Sequence, residues 1–190
     1  MILRWFFLFT TALLSACTPT VSNETNFNNQ SSKAIVVIGF GCVYADTNCE
    51  AWISPIKEDG SILQFGTPIL VKNTQGIFST TKEDTTTGLV VYSSYVVNPG
   101  EYGFTEFSAF THPRRRNTLL YKDKKYLIKF TAEAGKINYI GDFSIFAKTF
   151  PAKLLSHNYN TEAAQNFMKQ FPNVSGEFQR TKIINTDINN

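Results

Sequence analysis

Gly88-Leu89-Val90-Val91-Tyr92-Ser93-Ser94-Tyr95-Val96-Val97, then Asn98-Pro99-Gly100-Glu101, then the run 102–110, decide the fold class of this chain. β-Branched and aromatic residues fill both runs, a composition that suits a pleated, half-buried surface. Between them proline presets φ and glycine can supply a positive φ, the chemistry of a tight turn. The pair reads as a hairpin. Downstream, Tyr126-Leu127-Ile128-Lys129-Phe130-Thr131 and Ile137-Asn138-Tyr139-Ile140-Gly141-Asp142-Phe143-Ser144-Ile145 alternate apolar and polar, with Ala134-Gly135-Lys136 as the tight turn between them.

Upstream, Ala34-Ile35-Val36-Val37-Ile38 is dense enough to be a strand buried on both faces, and Ala51-Trp52-Ile53-Ser54 is a second strand. Residues 61–72 supply one or two more around Gly66-Thr67-Pro68, while 73–87 are mostly polar loop with Ile77-Phe78 as a short edge strand. This many short strands separated by turn signals argues for a mainly β chain, a small antiparallel β-sandwich over residues 33–150, rather than alternating strands and helices. A sandwich also buries rings between two inner faces, and the chain has 17 Phe and 8 Tyr.

The period changes in residues 151–179, a C-terminal helical segment. Asn160 or Thr161 caps a short α-helix running to Phe171, with Ala163, Phe167 and Phe171 on one face, and Pro172 ends it. Such a helix is expected to pack on its own domain. Residues 180–190 read as a polar, frayed tail. No repeat of fixed period is present.

The amino terminus carries a different message. Arg4 gives a short basic region, residues 5–14 are apolar except for Thr10 and Thr11, and Ser15-Ala16 precede Cys17. That order is an export signal over residues 1–16, too short for a finished membrane-spanning helix. Residues 17–32 then read as Cys17 plus a flexible Thr-, Asn- and Ser-rich tether that lets the domain stand off its anchor. Loss of residues 1–16 removes Arg4 and no acid, lowering the formal net charge of +3 by one. A nucleic-acid partner would call for a strongly basic face, so none is expected.

Leu14-Ser15-Ala16-Cys17 resembles the lipobox of bacterial lipoproteins. The resemblance implies that the Cys17 thiol receives a diacylglycerol, that the leader is cut before it, and that the new amine takes a further acyl chain such as palmitate. One chain anchors only marginally, at about 0.8 kcal/mol per buried CH₂, so several are needed. Thr18 stands where an aspartate would resemble an inner-membrane retention signal, which favours the outer membrane, facing the periplasm. Val97-Asn98-Pro99-Gly100-Glu101-Tyr102, with residues 130–142 downstream, is further similar to uncharacterised bacterial lipoproteins carrying a transthyretin-like or peptidase-regulatory-like sandwich. There a Pro-Gly-x-Tyr turn opens one strand and a Gly-containing turn leads into a Tyr-x-Gly strand. This similarity covers roughly residues 88–146; it implies the sandwich, and no catalytic residue carries over.

Cys42 and Cys49 remain once Cys17 is assigned to lipid. In an oxidising compartment an even pair points to a disulfide across a polar loop. Two free thiols are the alternative; a metal pair would want further Cys or His nearby, so no metal and no cofactor are expected.

The catalytic inventory is thin. His112 adjoins Pro113 and three arginines, with no neighbouring acid to orient it, and reads as a solvated loop residue. No nucleophile elbow, HExxH, phosphate loop or dinucleotide fingerprint occurs. Glu101 and Glu106 could be paired carboxylates for glycoside hydrolysis, but read more simply as a turn residue and a solvent-facing strand residue. Asp142 is unusual inside a strand, and reads as a hydrogen-bonding or edge-protecting group. Arg114, Arg115 and Arg116 form the one dense charge cluster, either a solvated loop or an anion clamp for lipid head groups, glycolipid phosphates or an acidic envelope protein. The expectation is a membrane-anchored envelope lipoprotein that binds or scaffolds without catalysis. An accessory factor of a secretion or surface apparatus is the alternative, and a cell-wall or lipid hydrolase is less favoured. Asn23-Glu24-Thr25, Asn29-Gln30-Ser31 and Asn173-Val174-Ser175 match glycosylation sequons, but a eukaryotic secreted protein would leave Cys17 unexplained.

Overall fold

The computed structural model describes residues 18–43, 48–63, 66–74, 89–111, 115–120, 128–146 and 153–185. Among these residues eleven strands and one helix follow one another: β1 (Ala34–Val43), β2 (Asn48–Pro55), β3 (Ile69–Thr74), β4 (Leu89–Val97), β5 (Gly100–Thr111), β6 (Arg115–Leu120), β7 (Ile128–Ala132), β8 (Lys136–Phe146), β9 (Lys153–Asn158), α1 (Thr161–Met168), β10 (Glu177–Arg180) and β11 (Ile183–Asn185). They form two sheets. The first has the order β10-β8-β1-β4, with β9 also on β8; the second has β11-β7-β5-β2-β3, with β6 also on β5. The chain is mainly β, a small sandwich, as the alternating runs require.

The Asn98-Pro99-Gly100 turn corrects the hairpin expectation. β4 pairs with β1, whereas β5 pairs with β2, so the turn carries the chain from one sheet to the other. Gly100 has φ 143°, a region in which side chains are disfavoured. The turn before β8 does the same, since β7 lies in the second sheet and β8 in the first. Alternation looks alike in a hairpin and in two facing strands, because both point one face at the same core. A second correction concerns direction: the pairs are mostly antiparallel, but β8 runs parallel to β1 and to β10. Entering the first sheet by a cross-over, β8 starts at the end where β1 starts.

Between the sheets, Phe104 stacks on Phe107 at 5.1 Å and tilts against Phe143 at 4.8 Å, joining rings from both sheets. Cys42 in β1 and Cys49 in β2 form a disulfide, with Cα atoms 5.8 Å apart, that ties one sheet to the other. Both cysteines are buried.

β1 is buried along all its length. Ala34, Val36, Ile38 and Phe40 face the sandwich interior, while Ile35 and Val37 face a second apolar layer built from Val21, Phe27, Ala164 and Met168. The expected tether is therefore a correction: residues 18–32 lie against the domain. Val96 N–H donates to Pro19 O at 2.9 Å, Val21 N–H to Ser94 O at 3.0 Å, and Phe27 N–H to Asn173 O at 3.1 Å. Val21 and Phe27, two apolar residues in a polar stretch, supply the burial that holds it.

The carboxyl end needs the same revision. Instead of an appended helix and a frayed tail, β9 and β10 share the outer edge of β8, and β11 extends the second sheet. α1 is capped at Asn160, whose side chain accepts from Ala163 N–H. It ends at Met168 rather than Phe171, and Phe171 N–H donates instead to Met168 O, a tighter turn ahead of Pro172. The Ile77-Phe78 edge strand lies outside the described residues. No helix among the described residues is long and apolar enough to cross a membrane.

Candidate functional site

The register of β8 against β1 shifts between Val37 and Gly39, so that Val37 faces Tyr139 while Gly39 faces Asp142. The extra residue is absorbed at Gly141, with φ 105°. Its effect is to place Tyr139 and Asp142 on the same outer face of the first sheet although they are three apart. Gly39 makes the space: a Cβ there would come within 2.7 Å of Asp142 Cγ and 2.8 Å of Val90 Cγ1.

Asp142 is buried, at 6% exposure, and both its oxygens are engaged. Tyr139 Oη donates to Oδ1 at 2.7 Å and Tyr92 Oη donates to Oδ2 at 3.0 Å. Asn160 N–H in turn donates to Tyr139 Oη at 3.0 Å, so the network joins β4, β8 and the cap of α1. Burial raises the Asp142 carboxyl above the ordinary carboxylate range, and the two tyrosine hydrogen bonds partly counter it. The same burial, with the Asp142 charge beside them, lifts both phenols well above their usual value.

His157 lies in β9, its ring 4.6 Å from that of Phe143. Its Nε2 is 3.0 Å from Ile140 O, which fixes the proton on Nε2, since a carbonyl can only accept. Burial lowers its pKa. Tyr159 beside it carries the Arg180 guanidinium over its ring, 4.4 Å from the centroid.

A depression of about 580 Å³ opens over this network, lined by Asp142, Ser144, Asn158, Asn160 and Glu162. Asp142 forms its floor with both oxygens already engaged, and the Asn160 side-chain oxygen caps α1, so polar groups of Glu162, Asn158 and Ser144 line its walls. Among the described residues no group of three or more His, Cys, Asp or Glu could hold a metal ion.

Of the residues singled out from the sequence, Cys42 and Cys49 are joined. Cys17, Arg114 and His112 lie outside the described residues. Arg115 and Arg116 begin β6, opposite Thr111 and Phe110 of β5. Glu101 pairs with Lys129 and accepts from Thr131 Oγ1, and Glu106 accepts from Ser108 Oγ. Asp142 is the hydrogen-bonding residue anticipated, but not an edge protector, because β8 is paired on both sides. Asn160 is marked only as a helix cap, and nothing in the sequence links it, Tyr92 or Tyr139 to Asp142; Gly141-Asp142 inside a strand is the available hint of a bulge.

Comparison with protein families, with curated proteins and with solved structures finds no match. What the molecule does must be argued from its own residues.

His157 and Asp142 should oppose each other in acid. His157, with its folded pKa below the ordinary 6.5, contributes stability above that value and loses it as pH falls through the lowered one. Asp142, with its folded pKa above the ordinary 3.8, contributes stability below that value and loses it as pH rises through the raised one. Between about pH 7.5 and about pH 4, urea unfolding should show the gap between wild type and His157→Gln narrowing on acidification, while the gap to Asp142→Asn widens. Two parallel curves would remove both assignments.

Proposed function

We propose that the chain is a lipid-anchored envelope protein whose sandwich binds a partner without catalysing a reaction. The observation that carries the anchor is Leu14-Ser15-Ala16-Cys17, a lipobox-like stretch standing directly before Thr18. From Thr18 the chain is already hydrogen bonded to the domain, through Thr18 Oγ1 to Pro68 O at 2.9 Å. A leader cut before Cys17 thus leaves the packed domain whole. Thr18 in place of an aspartate favours the outer membrane, with the domain in the periplasm, and the similarity to lipoproteins with transthyretin-like sandwiches supports the same reading.

Binding rather than catalysis is supported by the engagement of the reactive groups. Asp142 accepts from two phenols, one on each oxygen, so it serves as a structural acceptor rather than a free general base. The polar depression above Asp142 is a surface such a protein can offer to a ligand. The arginine stretch is a second, anion-binding surface on the same reading.

Mass spectrometry of the mature protein tests the anchor. A first residue of Cys17 carrying a diacylglycerol and an acyl chain is expected, with Cys42 and Cys49 short of two hydrogens as in the disulfide. A mature chain that starts elsewhere, or an unmodified Cys17, would end the proposal.

A further inference from the structure

We infer that the domain sits flush on the bilayer by the end of the sandwich that bears Thr18, Leu63 and the Asn98-Pro99-Gly100 turn, with the arginine-bearing end turned away. The inference rests on the anchor at Cys17 and adds what that reading leaves open: which surface meets lipid, and which cannot.

The length of chain between anchor and domain decides it. Consecutive Cα atoms are about 3.8 Å apart, so a lipid-modified Cys17 lies one such step from Thr18. Thr18 Oγ1 is bonded to Pro68 O at 2.9 Å, Val96 N–H to Pro19 O at 2.9 Å, and Val21 N–H to Ser94 O at 3.0 Å. Thr20 also bridges to Tyr95. Three successive attachments leave no slack to serve as a spacer. Acyl chains on Cys17 must therefore enter the bilayer beside this end of the sandwich.

The surface there fits that use. A groove of about 330 Å³ runs between Thr18, Pro19, Ile56, Leu63 and Pro99, and Leu63 is 41% exposed, a large apolar side chain left facing out. Lys33 and the turn residues Lys57, Glu58 and Asp59 give the end little net charge. The acyl chains, not attraction to anionic lipid, supply the attachment.

Strand register then orients the rest. Ala34 of β1 lies opposite Val97, and Pro55 opposite Tyr102, at the anchored end. Cys42 lies opposite Leu89, and Asn48 opposite Phe110, at the other. β5 runs the whole way, from Gly100 to Thr111, and Arg115 pairs with Thr111. At about 3.3 Å per residue, that end stands on the order of 35 Å from the seated one. The start of β6, paired with the far end of β5, is thereby carried away from the supporting leaflet.

The test uses the full chain processed in cells and membranes prepared from them. Environment-sensitive maleimide dyes are placed at Leu63→Cys, near the seat, and at Lys72→Cys, an exposed position toward the far end of β3. The disulfide leaves Cys42 and Cys49 unreactive, and lipid occupies Cys17. Quenching by lipids with nitroxide head groups should be several-fold stronger at position 63 than at position 72. The difference should disappear when a ten-residue Gly/Ser linker is inserted between Cys17 and Thr18. Equal quenching at the two positions with Cys17 acylated in the same sample would overturn the seating alone, as would a linker variant that behaves like the parent. An unmodified Cys17 in that sample would overturn the anchor, and the seating with it.

Discussion

Asp142→Ala is expected to lower the unfolding free energy by about 2–5 kcal/mol, since each buried donor left without its acceptor costs roughly 1–3 kcal/mol and two phenols lose theirs. The loss lies less in the carboxylate than in what it leaves behind. Tyr139 is fully buried, and with Asp142 gone its hydroxyl keeps only the donated Asn160 N–H as partner. Tyr92 Oη loses the acceptor that the structure gives it at 3.0 Å. Stranded donors in a low-dielectric site are costly, whereas removing donor and acceptor together is far less so. Pairing the change with Tyr92→Phe should therefore recover part of the loss. The raised carboxyl pKa agrees, because it shows the charge itself to be unfavourable there. Guanidinium titration at neutral pH checks both variants. A single-variant loss below about 1 kcal/mol, or a double variant no better than the single, would show that the network does not hold β4, β8 and the α1 cap together.

Phe104→Ala should cost a similar amount, about 3–5 kcal/mol, the range for truncating a fully buried aromatic. Phe104 is wholly buried and touches Phe107 and Phe130 in its own sheet and Phe143 across the interior. The cavity would open on the seam between sheets, where neither backbone can close over it without shifting the other. Phe104→Leu keeps much of the volume and should lose less. Denaturant midpoints of the two variants measure this; equal small losses would mean that the interior repacks freely.

The two clusters differ in how much of each the local pattern marks. Phe107 and Phe130 lie in runs whose alternation marks an inward face, but Phe104, three residues before Phe107, and Phe143, beyond Gly141, reach that face only through register shifts against β2 and β1. The Asp142 cluster draws on Tyr92, Tyr139, His157 and Asn160, which lie on β4, β8, β9 and the α1 cap. They meet because a one-residue bulge at Gly141 turns Asp142 onto the outer face and Gly39 leaves room for its carboxyl. No spacing rule connects those positions beforehand.

Local reading anticipates the strand runs of β4, β5, β7 and β8, the burial of β1 on both faces, a helix cap at Asn160 or Thr161, and a Cys42–Cys49 disulfide weighed against two free thiols. Each rests on local alternation, on the chemistry of one side chain, or on the even pair of cysteines left once Cys17 is set aside. Long-range contacts make Pro99-Gly100 a cross-over between sheets, set β8 parallel to β1, and bind residues 18–32 to the domain through Val21 and Phe27. They also let segments of four and three residues at the carboxyl end complete both sheets. The physical reason is the same in each case. Periodicity along a chain says which face of an element is buried, while the element that buries it is chosen by contacts between residues far apart, whose preference no short window contains.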